Sequence, residues 1–305
     1  MKSLDARKAV GIALVVYVLM VGAAALGFFR GVSSPGTTPD TQPTSKPPRM
    51  DVVFVVDATG SMTDEIDVIR QQLRSMAREL ANGQPRPDIR FGLVLYKDDT
   101  DEFVTKKVDL TRDVQRILTL LGDIQVSGGG DNPEAVDRGL QDALAAGWDD
   151  DPNTLRTIYL VGDAPNHGWS KWMESDVRMA KGKHITINTI GCSGIELDAG
   201  KQQFRDIAAR TGGTYEPLTY HAVVQGQDGR RHSVITYDGH TYQADDVLSD
   251  EEWERGAKKL EAEGKLEPAT GYMRHKAAAA PKRNNLDRQM MDGIKGSAAQ
   301  QGVAW

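Results

Sequence analysis

Apolar and polar positions alternate along this chain in blocks that predict strands and helices in turn. Residues 51–56, with Val52, Val53, Phe54, Val55 and Val56, form a short continuous apolar run, as expected of a strand covered on both faces. Ile66, Ile69, Leu73, Met76 and Leu80 then recur at spacings of 3, 4, 3 and 4, which is one apolar helix face, ending near Asn82-Gly83. Residues 89–96 read as a second strand and 103–110 as a third. The short acidic loop between them, with Asp98, Asp99, Asp101 and Glu102, favours an antiparallel hairpin. A helix is marked by Val114, Ile117, Leu118 and Leu121, and another by Ala135, Val136, Leu140 and Leu144, with Pro133 placed where a helix can begin. A buried strand at 157–162, a helix near 169–182, a strand at 184–190 and a helix near 198–211 follow, stopped by Gly212-Gly213. This alternation predicts an α/β fold: a doubly wound, mostly parallel sheet with helices on both faces and one antiparallel edge strand.

The pattern changes after residue 218. Asp228-Gly229 and Asp238-Gly239 are hairpin turn signals flanked by Val223, Val224, Val234, Ile235, Tyr237 and Tyr242, so a small β-hairpin element is expected. Ser249 before Asp250, Glu251 and Glu252 reads as a helix start, with Trp253, Ala257 and Leu260 on one face. Beyond Leu266 the chain is Ala-rich and polar, which predicts a disordered or frayed tail.

The N-terminal region has a different character. Residues 9–29 carry no charge and are long enough to span a bilayer as a helix. Lys2, Arg7 and Lys8 precede this stretch, which orients the N-terminus toward the cytoplasm and everything after Arg30 outward. A cleaved signal peptide is the alternative, with Ala23, Ala24 and Ala25 as a processing site, but the apolar run is long for one. Pro35, Pro39, Pro43, Pro47 and Pro48 among Ser, Thr and Gly then suggest an extended, solvated linker. The expected organisation is an anchor over 1–30, a linker over 31–49, an α/β domain over 50–218, a hairpin-plus-helix extension over 219–266 and a disordered tail over 267–305.

Composition narrows the classes. The chain has 305 residues, 39% of them hydrophobic, enough for a sizeable core. Its net charge of −6, with acidic residues spread along the sequence, argues against a nucleic-acid partner. Cys192 is the only cysteine, so no intramolecular disulfide forms, and it reads as a small buried hydrophobe.

Open parallel sheets bind ligands outside the carboxyl ends of their strands. Three segments of this sequence converge there. In the first, Asp57-Ala58-Thr59-Gly60-Ser61, a carboxylate and two hydroxyls stand on alternate residues of one tight loop, a cradle for a hard divalent cation. Ser61 and Asp64 also fit a helix-capping box, so this loop read alone has an ordinary structural explanation. The second segment is Ser127-Gly128-Gly129-Gly130-Asp131-Asn132-Pro133-Glu134, with glycines that allow close backbone approach and two acids, Asp131 and Glu134, flanking a helix start. In the third, Asp163 ends a buried strand ahead of Ala164-Pro165-Asn166-His167. Octahedral Mg²⁺ is served by the hydroxyls of Thr59 and Ser61, the carboxylates of Asp57 and Asp163 and one second-loop acid, with Mn²⁺ or Ca²⁺ also possible. One position would stay open.

Together these segments resemble the von Willebrand factor type A domain. Its metal-ion-dependent adhesion site has the pattern Asp-x-Ser-x-Ser, a residue from a second loop and an Asp from a third. The resemblance covers residues 50–218 and implies a Rossmann-like fold and a binding function in which a partner's Asp or Glu completes the metal shell. Thr59 stands where the pattern has its first Ser, which keeps the hydroxyl. Many members place a Thr in the second loop. The Gly-Gly-Gly-Asp-Asn-Pro-Glu found here is similar to the acidic loop of a bacterial and kinase-associated branch and of integrin β subunits, so either Asp131 or Glu134 faces the metal.

The expected protein is therefore a non-enzymatic, single-pass membrane-anchored module of the bacterial cell-envelope type, with its main domain periplasmic or extracellular and a protein as its partner. The alternatives are a metal-dependent hydrolase and a structural envelope scaffold whose C-terminal extension makes the contacts. For the hydrolase, His167 is the one obvious general base, without a recognisable partner in the sequence, and no phosphate loop or nucleophile elbow accompanies it. The acidic stretches 98–102 and 149–151 read as solvated loops, and Trp169 and Trp172 as exposed rim residues or helix packing.

Overall fold

A computed structural model describes residues 49–63, 65–69, 88–123, 127–129, 132–195 and 199–300. The expected anchor and nearly all of the linker, over residues 1–48, lie outside the described residues, as does Asp131. Among the described residues no helix is long and apolar enough to cross a membrane.

Eleven strands are ordered among the described residues: β1 Arg49–Asp57, β2 Asp88–Tyr96, β3 Thr105–Thr111, β4 Leu155–Gly162, β5 Thr186–Gly191, β6 Tyr215–Pro217, β7 Thr219–Gln225, β8 Arg231–Tyr237, β9 His240–Gln243, β10 Glu267–Pro268 and β11 Arg283–Asn284. The principal helices are α1 Val114–Asp123, α2 Val136–Leu144, α3 Lys171–Gly182, α4 Gly200–Thr211, α5 Asp250–Trp253, α6 Ala257–Ala262, α7 Gly271–Ala278 and α8 Leu286–Gln300. Residues 65–69 are also helical.

The first six strands form one sheet in the order β3-β2-β1-β4-β5-β6. All neighbours are parallel except β2 and β3, which form the antiparallel edge. β1 is central because both of its faces are apolar. Val52, Phe54 and Val56 pack in one core with Met62, Ile66, Ile69, Ile117 and Leu121. Val53 and Val55 pack in the other with Val136, Leu140, Leu144, Phe204 and Ile207. The period-2 alternation of a strand thus divides one run of valines between two helix layers. Each such side chain contributes about 1.5–3 kcal/mol on full burial. Strand order reverses about β1, which has β2 on one side and β4 on the other, so the ligand crevice of this topology opens at the end of β1. The register aligns Asp57 with Tyr96 and Val56 with Val161, which brings the carboxyl ends of β1, β2 and β4 to one level.

A second, antiparallel sheet runs β10-β9-β8-β7-β11. Its two inner hairpins turn at the places the sequence indicates: Gln225 pairs with Arg231 around Asp228-Gly229, and Tyr237 with His240 around Asp238-Gly239. Asp238 and Gly239 both adopt positive φ, as a two-residue turn of this kind demands. α5 opens with the capping box of Ser249 and Glu252 and buries Trp253.

The tail departs from expectation. Instead of a disordered segment over 267–305, the chain adds an edge strand, α7, a second edge strand and α8. Leu286, Met290, Met291 and Ile294 fall on one face of α8 and enter the same core as Phe54 and Tyr159. Ala-rich, polar composition masked this stripe of four apolar residues, which is sufficient to seat a helix. Residues 46–305 accordingly form one compact unit, with no break at 218 or 266.

Candidate metal centre

The first loop begins where β1 stops. Asp57 is fully buried, and its Oδ1 accepts hydrogen bonds from the Thr59 backbone N–H at 2.9 Å and from Thr59 Oγ1 at 2.6 Å. Thr59 Oγ1 lies 3.1 Å from Ser61 Oγ, so one carboxylate and two hydroxyls form a continuous chain of oxygens. Thr59 stands at the N-cap of the following 3₁₀ turn, Gly60–Met62, yet makes no side-chain capping bond. Its hydroxyl is committed to Asp57 instead; Asp64, the other half of the Ser61–Asp64 capping box, lies outside the described residues. Asp57 Oδ2 is buried and has no hydrogen-bond partner among the described residues.

Backbone contact joins the second loop to the first. The Gly60 N–H donates to Gly128 O at 3.1 Å. Gly128 and Gly129 have φ of +82° and +67°, and a Cβ on Gly129 would stand 2.5 Å from Thr59 Cβ. Close approach and left-handed backbone together require glycine there. From below, the buried Lys97 ammonium donates to Ser127 O at 2.5 Å and lies 4.9 Å from the Phe103 ring centroid. Glu134 is 2% exposed, and its Oε2 also lacks a hydrogen-bond partner among the described residues. Its backbone N–H donates to Pro165 O at 2.8 Å, and it bridges Asn166 in parallel, which ties the second loop to the third. Asp163, 8% exposed, follows the last residue of β4. Gly194, with a φ of +118°, packs beside Asp163.

The site is acidic, and its described carboxylates are buried. Burial, then the charge of Asp163, pushes the Asp57 carboxyl up to about 7, against the opposing bonds from Thr59. Burial followed by Asp57, Asp98, Asp101 and Asp163 pushes Glu134 up to about 8. The Tyr96 phenol is raised by burial and then by Asp57, Asp163 and Glu134. Two buried carboxylate oxygens without partners, two adjacent hydroxyls and a glycine cradle with no space for a side chain fit a hard divalent cation that takes oxygen ligands and retains water. Among the described residues no three His, Cys, Asp or Glu side chains close on one point as a preformed cage. The candidate donors that the described residues bring together are the carboxylates and hydroxyls of Asp57, Thr59, Ser61, Glu134 and Asp163. Asp131, the other second-loop candidate, lies outside the described residues.

Three neighbours of the site were not evident from the sequence. Asp98 and Asp101, on the hairpin read as a solvated tip, fold back over the second loop: the Asp101 carboxylate occupies the space a Cβ on Gly128 would need. Asp98 Oδ1 lies 2.5 Å from His167 Nε2, which supplies the partner His167 lacked in sequence. Lys97 is the third. The available signal was positional, since Lys97 and Asp98 follow the β2 residue that pairs with Asp57. Trp169 and Trp172 are rim residues, 37% and 51% exposed. The Trp169 indole N–H donates to Glu174 at 3.1 Å while Arg210 covers its ring.

An open, doubly wound sheet with oxygen-bearing loops gathered at its topological switch point defines a Rossmann-like ligand-binding class of domain. Within that class the chain belongs to the von Willebrand factor A domain family, whose model matches residues 51–221. It is also similar, at 30% identity over 120 residues, to the alpha-protein kinase vwkA of Dictyostelium discoideum; the match takes in 39% of this chain and only 19% of the kinase. Among solved structures it is similar to the pilus adhesin SpaC of Lactobacillus rhamnosus GG in its open conformation, with 12% identity, a TM-score of 0.43 and coverage of 64% of this chain and 36% of that one. It is similar as well to proximal thread matrix protein 1 of the mussel byssus with a zinc-occupied MIDAS motif, at 17% identity, a TM-score of 0.42 and coverage of 55% and 41%.

Proposed function

We propose that this protein is a metal-dependent protein-binding module of the adhesion type, in which a divalent cation held by Asp57, Thr59, Ser61, Glu134 and Asp163, or by Asp131 in place of Glu134, receives an Asp or Glu side chain from a protein partner. The observation that carries the reading is the pair of buried oxygens, Asp57 Oδ2 and Glu134 Oε2, that have no hydrogen-bond partner among the described residues and lie in one acidic field. A bound Mg²⁺, or Mn²⁺ or Ca²⁺, would supply a positive pole with an open coordination position. The chain's own residues do the rest: Thr59 orients Asp57, the glycines of the second loop bring backbone within reach, and Tyr96 and Gly162 close the floor against water. Attraction of an acidic group and release on chelation are a binding mechanism without a bond-breaking step, so the module is not an enzyme in this reading. Residues 9–29 and the proline-rich linker support display of the domain outside a cytoplasmic membrane, N-terminus inward.

The test is capture of partners from native membranes on immobilised protein in Mg²⁺, with elution by chelator, alongside Asp57→Ala. Capture that ignores both chelator and the substitution overturns the reading. A second reading, a metal-dependent hydrolase, has one specific observation in its favour: the Asp98–His167 pair, a base with its orienting carboxylate. Cation-dependent turnover of phosphoester or peptide substrates, abolished by His167→Ala, would put it first.

A further inference from the structure

One side chain of the C-terminal sheet reaches the back of two of the three site loops. Tyr220, on β7, is 8% exposed and packs in the core shared with Met62, Ile66 and Cys192. Its phenol donates to Glu65 Oε1 at 2.5 Å and accepts from the Ser193 backbone N–H at 2.8 Å. Glu65, itself 4% exposed, lies one helical turn beyond Ser61 on the helical segment that leaves the first loop. Ser193 precedes Gly194, which packs against Asp163: a Cβ at that position would lie 3.4 Å from the Asp163 carbonyl oxygen and 3.7 Å from its Cβ, ordinary contact distances. A single hydroxyl therefore bridges the support of Asp57-Thr59-Ser61 to the support of Asp163. The same sheet is held a second time where Asp238, in its β8–β9 turn, pairs with Lys201 at 2.6 Å at the start of α4.

We infer that Tyr220 is a positioning residue for the cation site, and that through it the seating of the C-terminal sheet and the affinity for cation are coupled. The inference rests on the metal-binding reading above. Among the described residues Tyr220 hydrogen-bonds to Glu65 and Ser193 and to no candidate ligand. It fixes the spacing between two segments that each carry ligands, and a buried hydrogen bond to a carboxylate has a short range over which it is strong. The coupling is reciprocal: whatever holds β7 in place favours cation, and cation favours a seated β7. The second sheet becomes a part of the site's machinery, where sequence alone presents it as an appendage.

The experiment uses the full chain in detergent and Mn²⁺ as the probe, with the dissociation constant measured by titration for wild type, Tyr220→Phe and Glu65→Leu. Phenylalanine keeps the ring in its core position, and leucine fills the Glu65 space without an acceptor. Both variants are expected to weaken Mn²⁺ binding by at least about fivefold, the lower end of ordinary coupling between sites. Amide hydrogen exchange should quicken at residues 58–62 and 193–195 and stay unchanged across β8, whereas simple loss of stability would quicken all of them. Should one variant fail to fold, the other carries the measurement. Wild-type binding that both variants retain within about twofold overturns the inference and leaves the metal reading standing. Absence of saturable Mn²⁺ binding by the wild type overturns both.

Discussion

Asp57 stands in an unfavourable place for a carboxylate unless a cation accompanies it. Its folded value of about 7 against an ordinary 3.8 means that between those pH values the native state holds a proton that the unfolded chain has released. Stability in chelator therefore falls as pH rises through that window, and Glu134, raised to about 8, extends the trend. Thermal unfolding in chelator across pH 5 to 8 should show this fall, and Asp57→Asn should flatten it. Saturating Mg²⁺ should raise the unfolding temperature more at the alkaline end, where it competes with fewer protons. A steric prediction concerns Gly129. Alanine there combines a Cβ 2.5 Å from Thr59 Cβ with a φ of +67°, so Gly129→Ala should cost about 1–3 kcal/mol and lower cation affinity, read by urea unfolding and Mn²⁺ titration. At this scale the spacing of Asp57, Thr59 and Ser61 was legible in sequence because all three lie on one loop. Lys97, Asp98 and Asp101 were not. Their role depends on the β1–β2 register and on a hairpin tip that folds back, neither of which has a local signature.

Elements divide along similar lines. The central strands were legible because their apolar runs are continuous, and the two C-terminal hairpins because Asp-Gly fixes their turns. α8 was not, since its four core residues are diluted by eleven others over fifteen positions. Ile294 at the C-terminal end of that stripe is fully buried, so Ile294→Ala should destabilise the whole domain by about 2–5 kcal/mol in urea unfolding. A disordered tail would leave stability unchanged. β7 offers a test with the opposite pH sign to Asp57. Burial, then Arg283, lowers His221 from its ordinary 6.5 to about 4, with Asp250 opposing. Its Nε2 lies 2.7 Å from Ser233 Oγ and its ring stacks on Trp253 at 4.9 Å. Between pH 6.5 and 4 the unfolded chain takes a proton that native His221 refuses, so roughly 3 kcal/mol of stability is lost as pH falls across that range. His221→Gln should lack that slope, so the loss should appear in the difference between wild-type and variant unfolding free energies as pH falls.

On the scale of the molecule, residues 46–305 are one compact unit in which the second sheet shares a core with the first through Leu218, Tyr220 and α8. Unfolding of this unit should be a single transition by both fluorescence and circular dichroism. A separate early transition confined to the Trp253 signal would show that the sheet folds alone. Cation at a hundred times its dissociation constant should shift that transition by about 2.7 kcal/mol if only the native state binds it.

The core that Phe54 begins is the one that Ile294 completes. A ribosome delivers β1 first and, at about 5–20 residues per second, needs more than ten seconds to deliver the residues that cover it. During that interval the part of the core that Leu286, Met290, Met291 and Ile294 complete stays open, which makes the nascent domain a natural client for chaperones, and a nonsense mutation just before residue 286 would release a chain unable to close it. Maturation of the cation site, which stands on that sheet, then becomes a post-translational event.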